Sequence, residues 1–129
     1  VFAIGATVYP ALAAAEELRK EGIAIRVINA RFVKPMDREL IRETAGKLKK
    51  LITVEENVRM GGFGSAVMEL LAVEEMSDVR IRILGIPDVF VEHATQQELR
   101  RQAGIDRNHI LAAARELISE SGQRATVAC

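Results

Sequence analysis

The feature that most constrains this chain is the alternation of short β-branched runs with segments of helical period. Phe2 to Ile4, Ile23 to Ile28 and Leu51 to Glu55 are largely apolar runs of strand length, and Arg80 to Leu84 is a fourth strand-length run in which isoleucines alternate with arginines. Between them lie stretches of ten or more residues whose apolar positions recur every three or four, the spacing of an amphipathic helix. The order is β-α-β-α-β-α-β-α-α. Strands separated by helices pair in parallel through crossover connections, with helices on both faces. The expectation is one three-layer α/β/α domain on a mainly parallel sheet of four to five strands. The domain spans residues 1–118, and residues 119–129 form a tail because helical periodicity is lost after Ile118.

Local signals place the elements. Glycine at residue 5 turns the first strand into a helix with Leu12, Ala15 and Leu18 inward, a Glu16–Lys20 pair outside and Gly22 past its end. Asp37 is an N-cap for a helix running to about Lys50, with Leu40, Ile41 and Leu48 on its buried side. Val67, Met68, Leu70 and Leu71 line the third helix. Ile81 and Ile83 alternate with Arg80 and Arg82, which predicts one wet face on the fourth strand. Thr95-Gln96-Gln97-Glu98 is a capping box. The last helix starts near Asp106 and carries Ile110, Leu111, Ala114, Leu117 and Ile118 at helical spacing.

Composition removes several classes of function. With 49% hydrophobic residues in 129, the chain can bury a core and is not a disordered segment. Eighteen Lys+Arg against eighteen Asp+Glu leave no net charge, and the signs are mixed along the chain. That argues against nucleic-acid and anionic-membrane partners. The apolar stretch from Val1 to Ala15 lacks a basic leader and falls short of the roughly 20 residues a membrane span needs. One cysteine, Cys129, excludes an internal disulfide. Together with His93 and His109 it is too few ligands for a classical zinc site.

Candidate functional residues cluster after the third and fourth strands. Glycines in Gly61-Gly62-Phe63-Gly64, between a strand and a helix, let backbone amides approach an anion. A dinucleotide fingerprint read from Gly62 meets Val67 where its third glycine belongs, and the loop does not follow the first strand. No Lys-Ser/Thr follows, so the loop is not a P-loop. Two readings stay open: a tight strand-to-helix turn against a neighbouring surface, or an anion site at the amides of Gly62 to Ser65. Glu55 and Glu56 end the third strand, and successive residues there point to opposite faces, so they do not converge as a dyad. One of them is expected to cap the next helix or pair across an interface while the other is solvated. His93 precedes the capped helix, where a proton shuttle and a structural histidine are both readings. His109 is a surface residue. No nucleophile elbow or arranged His–Asp pair appears, so no self-contained active site is visible.

Three segments carry a specific resemblance: VINARFVKP from Val27 to Pro35, TVEENVRMGGFGSAVME from Thr53 to Glu69, and LGIPDVFVEHATQQ from Leu84 to Gln97. In this order and spacing they resemble the C-terminal, transketolase-like domain of 1-deoxy-D-xylulose-5-phosphate synthases, over nearly all of residues 1–118. Ala94 stands where that family usually has glycine, and Arg59 occupies a variable position. The resemblance implies a three-domain, homodimeric enzyme, cytoplasmic in a bacterium or plastidial in a plant, that condenses pyruvate, after decarboxylation, with glyceraldehyde 3-phosphate. Its product feeds isoprenoid, thiamine and pyridoxal synthesis. Thiamine diphosphate and Mg²⁺ are implied in the two preceding domains, whose Gly-Asp-Gly motif this chain lacks. No catalytic, cofactor-binding or metal residue is therefore carried onto this chain, which is expected to be inactive alone. Glu55, Glu56, Gly61, Gly62, Phe63, Gly64 and His93 are expected to face the preceding domains or a partner subunit. The family's antiparallel edge strand would lie before Val1, leaving four parallel strands in the order 2-1-3-4 with one raw edge. A C-terminal domain of another transketolase-like enzyme, such as a 2-oxo acid dehydrogenase β chain, is the related alternative. The GIPD and EHATQ segments favour the synthase.

Overall fold

A computed structural model describes residues 1–87 and 95–123, with side chains through Glu120. Its sheet is parallel throughout, in the order β2-β1-β3-β4. The strands are β1 (Phe2–Ala3), β2 (Ile28–Asn29), β3 (Lys50–Val58) and β4 (Arg80–Ile86). A 3-10 turn at Gly5–Thr7 leads into α1 (Val8–Lys20); α2 (Arg38–Leu48) and α3 (Phe63–Val73) follow β2 and β3. After β4 come α4 (Gln96–Ala103) and α5 (Arg107–Gln123).

Strand alternation divides β3 between two cores. Ile52 and Val54 pack with Ala3, α1 and α5, whereas Leu51 packs with Phe2, α2 and α3. Helices thus cover both faces, which makes the three layers. The first two strands are shorter than their apolar runs suggest. Ile23, Ile25 and Val27 pack against the α1–α5 core without laddering, and only Ile28 and Asn29 pair with β1.

The capping signals behave as their chemistry requires. Asp37 Oδ1 accepts the Leu40 N–H at 3.0 Å, and Lys49, in the left-handed region at φ 58°, ends α2. Thr95 and Glu98 exchange hydrogen bonds in a full capping box, and the Thr95 hydroxyl and N–H hold the Glu98 carboxyl below its usual pKa.

Several inward assignments are corrected. In α1 the buried stripe is Ala11, Ala14 and Leu18, while Leu12 is exposed. The surface pairs on that helix are Glu16–Arg19 and Glu17–Lys20, not Glu16–Lys20. Leu48 and Met68 are exposed too, and Thr44 and Ala45 take the inward positions of α2. The face of β4 bearing Arg80 and Arg82 is not simply wet: α5 lies over it. Arg80 bonds Glu120 at 3.0 Å, and Arg82 pairs with Glu116 and Glu120. Glu120 falls in the segment 119–129 expected as a tail, and α5 runs on through Gln123.

Candidate functional site

In a doubly wound sheet the crevice for ligands opens at the carboxyl edge where connections diverge to opposite faces. Here that point lies between β1 and β3, because α1 leaves β1 on one face and α3 leaves β3 on the other. The candidate residues Glu55, Glu56 and Gly61–Gly64 all lie at this edge.

The β3–β4 register is regular from Lys50↔Arg80 to Val54↔Leu84 and then shifts, so that Val58 faces Ile86. Four steps along β3 match two along β4, a bulge that bends the strand end and re-aims its side chains. Gly85 lies against the bulge: a Cβ there would stand 3.1 Å from the Asn57 carbonyl oxygen and 3.2 Å from Glu55 Cγ. Glu55 consequently turns under α3, and it is fully buried.

Both oxygens of that carboxylate are engaged. Oε2 accepts the Phe63 N–H at 2.8 Å and Oε1 accepts the Gly64 N–H at 2.9 Å. These are free amides of the first turn of α3, which a charged acceptor at the positive end of the helix dipole satisfies. Glycine at 62 makes the approach feasible, since a Cβ there would lie 2.4 Å from the Val58 carbonyl oxygen and 2.5 Å from Glu55 Oε2. Gly64 is equally constrained, its Cβ position being 2.4 Å from Ile83 Cγ2 and 2.7 Å from Thr53 Oγ1. Gly61, at φ +74°, turns the chain, and its N–H bonds Ser65 Oγ at 3.1 Å.

The loop is therefore a strand-to-helix turn filled by its own carboxylate. An anion at the amides of Gly62 to Ser65 is not supported, because the Phe63 and Gly64 amides already hold Glu55. Phe63 and Gly64 are buried in the domain, while Gly61 is exposed. Glu56 points to the opposite face, as strand alternation requires, and accepts a bond from Arg100 Nε of α4 at 2.8 Å. His93 lies outside the described residues. His109 is half exposed beside Asp106, whose carboxylate receives its N–H at 2.9 Å. Burial raises the Asp106 pKa, but the bonds from the His109 backbone and ring outweigh it and hold the carboxyl below its usual value.

Two residues that the sequence did not single out complete the edge. Thr7 is buried at the entry to α1, and its hydroxyl lies 2.8 Å from the Ile4 carbonyl and 2.9 Å from the Val54 carbonyl. It ties the connection after β1 to β3, the other side of the switch point. Arg59 donates its N–H to the Ile86 carbonyl and its Nε to the Gly85 carbonyl at 3.1 Å, tying the glycine loop to β4. A threonine four residues past the end of β1, at the strand-to-helix turn, was the available signal for Thr7; for Arg59 there was none. Among the described residues, no group of three or more His, Cys, Asp or Glu is placed to hold a metal ion. Among the same residues no helix is long and apolar enough to cross a membrane.

The fold defines a parallel α/β domain with strand order 2-1-3-4. Residues 1–110 match the family described as "Transketolase, C-terminal domain", and the chain belongs to it. Among its relatives, the 1-deoxy-D-xylulose-5-phosphate synthase of Syntrophus aciditrophicus is 48% identical over 129 residues, all of this chain and 20% of the relative. The 1-deoxy-D-xylulose-5-phosphate synthase 1 of Geobacter sulfurreducens is 53% identical over 122 residues, 95% of this chain and 19% of the relative. A solved structure titled as a split-gene transketolase in an inactive β4 tetramer matches with a TM-score of 0.83 and 37% identity. That match covers 92% of this chain and 38% of the solved one. The chain thus spans about a fifth of the length of the curated relatives it matches.

Proposed function

We propose that this chain is the C-terminal domain of a thiamine-diphosphate-dependent 1-deoxy-D-xylulose-5-phosphate synthase, serving as scaffold and interface rather than as a catalyst by itself. The observation that carries the reading is the 48% identity to such a synthase along all 129 residues. In the whole enzyme, thiamine diphosphate with Mg²⁺ supplies the carbanion-stabilising ring for joining pyruvate, after loss of CO2, to glyceraldehyde 3-phosphate. The residues described here do not fit a seat for that group. The one loop shaped to receive a diphosphate has its Phe63 and Gly64 amides on Glu55. What this chain supplies is a fixed carboxyl edge, held by Thr7, Glu55 and Arg59, against which the cofactor-bearing domains and a second subunit are placed. A cytoplasmic homodimer completes this reading, as the family resemblance implies.

Two measurements test this reading. Calorimetric titration of the chain with thiamine diphosphate and Mg²⁺ is expected to show no binding, and saturable binding overturns the assignment of the cofactor elsewhere. The second is a chimera with this chain in place of the last domain of the Geobacter sulfurreducens synthase. It is expected to turn over pyruvate and glyceraldehyde 3-phosphate. A folded chimera without turnover, alongside an active one built on a 2-oxo acid dehydrogenase β chain, reassigns the domain.

A further inference from the structure

The segment Val27–Pro35 carries part of the family resemblance and takes no part in the Glu55 turn. Its centre is strained and exposed. Arg31 sits at φ +54°, a conformation that residues with a Cβ rarely adopt, and its N–H is held by Asn29 Oδ1 at 3.1 Å. The next residue, Phe32, is 62% exposed. An aromatic ring turned to solvent by a pinned, unfavourable backbone is the geometry of a pre-organised anchor. Arg31 and Lys34 flank it, both exposed, and neither has an ion-pair partner among the described residues.

A second apolar side chain is offered in the same manner one connection away. Met60 is 78% exposed on the turn closed by Gly61, where Ser65 Oγ accepts the Gly61 N–H and donates to the Arg59 carbonyl at 2.6 Å. The connections after β2 and β3 leave the same carboxyl edge of the sheet, on either side of β1.

We propose that Phe32, flanked by Arg31 and Lys34 and seconded by Met60, is the anchor by which this domain docks on the rest of its own polypeptide. The docked surface is an apolar hollow rimmed by carboxylates. The inference rests on the reading of this chain as one domain of a longer enzyme. Size selects the occupant. The exposed apolar groups of the patch, Phe32 and Met60, are few beside the ~800 Å² per partner of a free-standing interface. A tethered neighbour is present at an effective concentration of about millimolar, so a small anchor suffices for it. The chain spans 20% of its Syntrophus relative, which leaves most of such a polypeptide to supply that neighbour.

The test uses the full-length protein with Phe32→Ser, Phe32→Leu and, as a control on the opposite edge of the sheet, Leu48→Ser. The readouts are protease cleavage where this domain joins the preceding one and amide exchange of residues 30–36 and 58–62. Phe32→Ser is expected to speed cleavage about tenfold or more, the loss typical of a truncated aromatic anchor. It is also expected to expose both turns, with Phe32→Leu and Leu48→Ser near wild type. Wild-type behaviour of Phe32→Ser overturns the proposal, as does an equal effect of Leu48→Ser. An effect that depends on protein concentration overturns it too, by making the occupant a second copy. Should exchange in residues 51–54 show that Phe32→Ser unfolds the core, the Arg31→Glu/Lys34→Glu pair must reproduce the undocking with that core protected. Turnover of pyruvate and glyceraldehyde 3-phosphate is measured on the same preparations. Undocking by Phe32→Ser in a protein without turnover refutes the enzyme assignment and leaves the anchor standing.

Discussion

Replacing Glu55 tests the central structural claim, that α3 starts where it does because a carboxylate from β3 occupies its first amides. Glu55→Ala leaves the Phe63 and Gly64 N–H groups without acceptors in a site closed to solvent. Each orphaned buried donor costs about 1–3 kcal/mol, and loss of a charge from the helix N-terminus adds about 0.3–1 kcal/mol. The two bonds share one side chain, so the terms overlap, and a total of about 3–5 kcal/mol is expected. For a domain of this length that is a fall in Tm of roughly 10–20 °C. Glu55→Gln is the sharper perturbation because its shape is almost unchanged. Its carbonyl oxygen can serve one amide, but its NH2 group then faces the other as donor against donor. The expected cost is about 2–4 kcal/mol, close to that of alanine. The assay is thermal and urea unfolding followed by far-UV circular dichroism, with formate added to Glu55→Gly to return an acceptor to the vacated space. A Glu55→Gln protein within about 0.5 kcal/mol of wild type refutes the reasoning, since volume rather than the acceptor would then be what the site requires.

Three other outcomes follow from the same geometry. Gly64→Ala drives a methyl group to 2.4 Å from Ile83 Cγ2 and 2.7 Å from Thr53 Oγ1, and is expected to cost about 1–3 kcal/mol in urea unfolding. Asp37→Ala removes the acceptor for the Leu40 N–H and should lower stability by about 1 kcal/mol, with Asp37→Ser recovering most of it. The Asp106 carboxyl has a lower pKa folded than unfolded, so its contribution is present above the unfolded value of about 3.9. It is lost as pH falls through the lower folded value. Asp106→Asn is therefore expected to flatten the stability–pH curve below pH ~4 and to leave its slope near neutrality unchanged.

The order of elements, the Asp37 N-cap and the Thr95–Glu98 capping box were legible in the chain because each rests on local chemistry, whereas the strand order 2-1-3-4 came with the family resemblance. Strand runs, Asp37 before α2 and Thr95 with Glu98 need no distant partner to be recognised. Errors arose where tertiary contacts decide. Leu12 and Leu48 have the right spacing for burial, but alanines at positions 11, 14 and 45 sit closer to the neighbouring layers and take the inward places. Ser119 and Glu120 look like the start of a tail until Arg80 and Arg82 of β4, some forty residues earlier, are seen to hold Glu120. At the candidate site the sequence reading left two roles for the glycine loop. The residue that decides between them, Glu55, was visible as a helix cap or an interface group. Only the bulge between Val54 and Val58 shows which amides it reaches.

That bulge also bears on where chemistry can occur in such a domain. Open α/β sheets bind anions at the carboxyl edge because helix N-termini point free amides there. Here the switch point is closed from both sides by the chain itself. On the β1 side, the Thr7 hydroxyl lies against the Ile4 and Val54 carbonyls; on the β3 side, Glu55 takes the Phe63 and Gly64 amides. An edge whose polar groups are satisfied internally has little affinity left for a small anion, but it is rigid, and rigidity favours a docking surface. The exposed groups at this edge then acquire a different meaning. Phe32 and Met60 stand on turns fixed by Asn29 and Ser65, and the loop bearing Met60 is tied to β4 by Arg59. The same packing that engages the first amides of α3 at the carboxyl edge gives those two side chains fixed positions from which to meet another domain.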